Sequence, residues 1–71
     1  MSIAVRSLEA STEKYLRNCI RAYFEGTRTL RWIVGVIGGA KAQARAIVEM
    51  WFGQYAETQA YQNLMAELPG L

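Results

Sequence analysis

The sequence predicts an all-α fold: an antiparallel helical hairpin, a short helix and then a long amphipathic one, with a short third helix and with copies assembled into an oligomer. Three observations lead there. Residues 28–55 keep one helical phase over their whole length. Glu25-Gly26-Thr27 reads as a stop followed by a start. Beyond Gly53 the apolar residues centre on a new direction, about 110° from the preceding face at 100° per residue. The whole chain, residues 1–71, is read as a single small domain.

The first helix is expected near residues 8–25, with Ser7 as its N-cap and Glu9 in its first turn. Leu8, Thr12, Tyr15, Cys19 and Ala22 share one face, flanked by Leu16, Ile20 and Tyr23, while Glu9, Glu13, Lys14, Arg17 and Arg21 take the other. Glu13 and Arg17 form an i,i+4 pair of the better orientation. Phe24 points off the apolar face, which implies that the helix ends there or that the ring meets a partner. Gly26 then supplies the left-handed C′ residue and Thr27 the next cap. So short a connection makes neighbouring helices antiparallel.

The long helix is expected over residues 28–54. Arg31, Gly35, Gly38, Ala42, Arg45, Glu49 and Gly53 fall within about 80° of one another. Opposite them lie Ile33, Val36, Ile37, Ala40, Ala44, Ile47, Val48, Trp51 and Tyr55, widened by Trp32 with Met50 and by Leu30, Val34 and Phe52. An arc of about 200° exceeds what one neighbour needs. The competing reading is a strand at residues 30–39, which are rich in β-branched and aromatic side chains and end in a Gly-Gly turn. The helical stripe shared by Gly35, Gly38, Arg45 and Glu49 favours the helix. Thr58 is expected to cap the third helix after a break between Gly53 and Thr58, and that helix ends before Pro69-Gly70.

At 1.5 Å per residue the long helix would run about 40 Å against about 27 Å for the first. The apolar face of residues 44–55 would then be left for the third helix and another molecule. Trp32, Val36, Ile47, Met50, Trp51, Phe52 and Tyr55 are accordingly the candidate oligomer or partner interface, with Trp51 its buried anchor. Gly35, Gly38, Gly39 and Ala42 form a small-residue patch suited to close backbone approach.

Composition narrows the chemistry. There is no histidine and no aspartate, and the six glutamates are spread singly. A catalytic triad, histidine acid–base chemistry and the usual metal-ligand sets are therefore not expected, nor is a cofactor. Cys19 is the only cysteine and reads as a small buried hydrophobe. With no apolar segment of export-signal length and one unpaired thiol, a reducing cytoplasmic compartment is the expectation. The longest apolar run, residues 32–40, is far short of the roughly 20 residues of a spanning helix.

Net charge is +2, yet residues 1–45 hold all eight Lys and Arg against three Glu, a balance of +5, and residues 46–71 hold three Glu alone, a balance of −3. Lys14, Arg17, Arg21, Arg28 and Arg31 would gather toward the hairpin turn as a patch for an anionic partner. Arg28 and Arg31 oppose the dipole of the helix they begin. The expected function is that of a non-enzymatic interaction protein, self-associating and docking on a larger protein complex as subunit, adaptor or regulator. A dimeric nucleic-acid-binding module using the basic end is the alternative. A membrane-surface role is weaker, because the polar stripe is poor in basic residues.

Overall fold

A computed structural model describes the backbone of residues 2–70 and the side chains of residues 12–70. The described chain is all-helical, with four α-helices: α1, Ser2–Phe24; α2, Leu30–Ile37; α3, Lys41–Trp51; and α4, Gln59–Glu67. Short 3₁₀ turns cover Gly53–Tyr55 and Leu68–Gly70. No described helix is long and apolar enough to cross a membrane.

α1 begins earlier than its sequence signals imply. Ser7 lies inside it and is no cap, and the side chains of Leu8 and Glu9 lie outside the described residues. Its end is as expected. Gly26 takes φ +86°. The Thr27 amide reaches back to the Ala22 carbonyl at 3.0 Å and the Gly26 amide to Tyr23 at 3.1 Å. That pair of bonds is the Schellman arrangement, in which a glycine without Cβ occupies the left-handed position. Thr27 does not cap the next helix. Its hydroxyl also donates to the Ala22 carbonyl, and Thr29, two residues on, accepts the Trp32 amide.

The single helix expected over residues 28–54 is two helices. α2 stops at Ile37, and α3 starts after Gly38, Gly39 and Ala40. The chain reverses there, as ring contacts show. The Phe52 ring, just past α3, lies 5.3 Å from that of Phe24 at the end of α1, and α2 starts only a short turn beyond Phe24. A straight helix from Leu30 to Trp51 would carry Trp51 about 30 Å from that point. The propensity cost of interior glycine, roughly 1 kcal/mol each, thus prevails over the continuity of the apolar pattern. With the reversal, α1 packs against both α2 and α3, α4 packs on α2, and the last 3₁₀ turn packs on α3 and α4.

The core is one cluster. Leu16, Cys19, Ile20 and Tyr23 of α1 meet Ile33 and Ile37 of α2, Ala44, Ile47 and Val48 of α3, and Phe52, Leu64 and Leu68. Cys19 is buried, as its place on the apolar face implies. Ile20, Ile33, Ile37, Val48 and Leu64 lose all contact with solvent, each such side chain contributing about 1.5–3 kcal/mol. An aromatic group closes the end of α1. Phe24 stacks on Tyr55 with centroids 4.8 Å apart and on Tyr61 at 6.1 Å, besides Phe52. Phe24 therefore ends its helix and also meets partners, both within the chain. Thr58 caps α4 as expected, accepting the Tyr61 amide at 3.2 Å.

Candidate functional site

The seven side chains expected at an interface separate into three groups. Ile47 and Phe52 are core residues, 3% and 4% exposed. This corrects the expectation that residues 44–55 would lie uncovered, because the reversal at residues 38–40 folds α3 back onto α1. Trp32, Val36 and Tyr55 are half-buried against the core. Met50 and Trp51 remain outside, 77% and 47% exposed. Trp51 is therefore no buried anchor within the chain. It shares the phase of Ala44, Ile47 and Val48, but it occupies the last position of α3, where cover runs out.

One side of Trp51 is occupied. The Arg17 guanidinium sits 4.5 Å from its ring centroid, a contact worth about 0.5–1 kcal/mol at an exposed site. The expected Glu13–Arg17 pair is not formed, since Arg17 is drawn to the indole. Between α1 and α3 lies a hollow of about 440 Å³, floored by Leu16 and Ile47 and rimmed by Thr12, Glu13, Gln43, Ala46, Met50 and Trp51. Tyr15, 58% exposed, follows on the same helix as Thr12 and Leu16. Its hydrogen-bonding interaction with the Cys19 side chain one turn on is the main cause that raises the Tyr15 phenol above its ordinary value. Sequence reasoning missed Tyr15 as a surface residue, because a helical wheel placed it with Cys19 on the buried face.

The glycine patch makes no close approach within the chain. A Cβ at Gly35 or Gly39 would meet nothing within 4 Å, and one at Gly38 would meet only the Gly35 carbonyl at an ordinary 3.5 Å. Ala42 is exposed. Gly38 and Gly39 lie in the reversal, and Gly35 lies inside α2.

Of the basic set, Lys14, Arg21, Arg28 and Arg31 are exposed and Arg17 is half-buried. Arg28 lies 4.8 Å from the Trp32 ring centroid, and Arg21 donates to the Asn18 side chain at 3.1 Å. Neither these five nor the exposed Glu57 and Glu67 form an ion pair with a described residue; Arg45 and Glu49 form an i,i+4 pair at 3.6 Å. No family model, curated protein or solved structure matches this chain.

Proposed function

We propose that this chain is a non-enzymatic interaction protein that self-associates and, as an assembled unit, serves as a small subunit, adaptor or regulator of a larger protein complex. The observation that carries the reading is the α1–α3 face, where Met50 and Trp51 stand exposed on the rim of a hollow with an apolar floor. Knob and hollow lie side by side on one patch, the arrangement a two-fold interface needs, since each copy offers the other both halves. Tryptophan, tyrosine and methionine are the side chains that interfaces concentrate. Charge favours a second copy as the occupant. Arg17, Arg21, Arg28 and Arg31, which form no ion pair with a described residue, find a complement in the exposed Glu57 and Glu67 of the acidic C-terminal part, and such complementarity steers association. A chain of 8.0 kDa also gains stability from assembly that its small core does not supply.

Light scattering across a dilution series tests this. The wild type should approach twice its monomer mass with rising concentration. Met50→Glu combined with Trp51→Gln should stay monomeric with an unchanged circular dichroism spectrum, because both side chains are exposed in the single chain. A wild type that stays a folded monomer throughout overturns the self-association.

A further inference from the structure

We propose that the reversal at Gly38-Gly39-Ala40 is an exchange hinge: it straightens to join α2 and α3 into one helix, and two copies pair by trading α3 and α4. This deepens the self-association reading and rests on it. Three observations carry it. The apolar stripe keeps its register through the reversal, with Ile33, Ile37, Ala40, Ala44, Ile47 and Trp51 alternating in steps of four and three, the spacing of a coiled-coil seam. A permanent loop has no need to preserve that phase. The start of α3 also lacks the device found at α2 and α4. Threonines cap those two, whereas the N-cap of α3 is Ala40, with no side-chain hydrogen bond. Its first-turn amides are the groups that a cap would otherwise satisfy, and in a straight helix the carbonyls of the preceding turn accept them.

The reversal leaves helical geometry at Gly38, φ 3° and ψ −73°, and keeps two short-range bonds across it. The Gly38 amide donates to the Val34 carbonyl at 3.1 Å and the Ala40 amide to the Ile37 carbonyl at 2.6 Å. So short a connection invites exchange, because a copy that opens finds the same core contacts in its neighbour that it gave up in itself. Packing of α1 on α3, and of α4 on α2, is common to both forms. The exchanged pair in addition brings its two Met50–Trp51 faces together, and that contact, the hinge conformation and the protein concentration decide between the forms. Two glycines favour the closed form by withholding helix propensity, and an added Cβ at Gly39 meets no atom within 4 Å, so alanine there acts on the hinge without a clash.

The test uses the full chain. Gly39→Ala straightens two hinges per dimer and should raise the association constant about 25-fold. Gly35→Ala makes the same chemical change inside α2, which is helical in both forms, and should leave the association constant as it was. Inserting Gly-Ser-Gly after Gly39 should leave only monomer. Spin labels on cysteines placed at Arg31 and Glu49, in a Cys19→Ala background and diluted into unlabelled chain, read the distance within one copy. A straight helix holds those positions about 27 Å apart along its axis; the closed form, in which Phe52 returns to Phe24, holds them much closer. A dimer showing the long distance supports exchange. A dimer showing the short distance, or equal effects of Gly35→Ala and Gly39→Ala, overturns exchange and leaves self-association standing. Monomer at every concentration, in the wild type and in Gly39→Ala, overturns both.

Discussion

Tyr23→Phe removes the one long-range side-chain hydrogen bond that ties α1 to α4 among the described residues. The Tyr23 hydroxyl donates to the Ala60 carbonyl at 2.7 Å, while the ring itself is only 7% exposed and belongs to the core. Phenylalanine keeps the ring and loses only the hydroxyl. A bond of this kind is worth about 0.5–1.5 kcal/mol net. The lower half of that range is expected, because the Ala60 carbonyl, in the first turn of α4, also accepts an intrahelical amide. For a domain of this size about 1 kcal/mol moves the melting temperature by roughly 4–8 °C. Burial pushes the Tyr23 phenol above its ordinary value, so the folded state holds this proton after the unfolded state has begun to lose it. The stability linked to that proton is complete below about pH 10, the unfolded value, and is lost as pH rises through the folded value. Tyr23→Phe should therefore melt lower at neutral pH yet lose less on going to strongly alkaline pH. Circular dichroism melts of both proteins at one fixed concentration, from pH 7 upward, measure both effects. Equal melting temperatures at pH 7 and parallel losses above pH 10 would refute the reasoning and show that α4 is not pinned through Tyr23.

Two further outcomes follow from local geometry. Gly26→Ala should cost about 1–2 kcal/mol, read from thermal melts, because Gly26 holds φ +86° while the added methyl meets nothing. Arg31→Glu should raise stability by about 0.3–1 kcal/mol at low ionic strength, since Arg31 is exposed in the first turn of α2; the gain should shrink with added salt.

Much of the fold is legible because the signals are local. Gly26 stops α1 for a steric reason that any reader of the chain can apply, and Thr58 starts α4 because its hydroxyl can reach the amide three residues on. The break before Thr58 shows as a rotation of the apolar face. The reversal at residues 38–40 is illegible for the opposite reason. A helical wheel records phase, and phase survives there unbroken. What ends α2 is the balance between the low helix propensity of Gly38 and Gly39 and the burial gained when α3 folds back on α1. That second quantity belongs to the tertiary structure, which no window of sequence contains. Thr27 and Thr29 illustrate the same limit on a smaller scale, as both are competent caps. The closing turn fixed by Gly26 engages the Thr27 amide and hydroxyl with Ala22, which leaves Thr29 for the next helix.

The interface residues follow from that one missed reversal. With a straight helix, Ile47 and Phe52 would lie beyond the reach of α1 and would need another molecule. With the chain folded back, α1, about 34 Å long, spans two returning helices of about 12 and 16 Å and covers both on one side. Ile47 then faces Leu16, and Phe52 faces Phe24. What stays uncovered is set by angle and position instead of by hydrophobicity. Met50 lies on the flank of the apolar arc, at the rim of the hollow between α1 and α3, and Trp51 sits at the terminus of α3, where a half-exposed indole takes Arg17 as its cover. Tyr15 is exposed for the matching reason on α1, at the margin of a face whose centre, Leu16 with Ile20 and Cys19, is already occupied. The wheel identified the apolar face of α3 correctly but not which part of it α1 would leave open, and that open part is the surface on which association is proposed to rest.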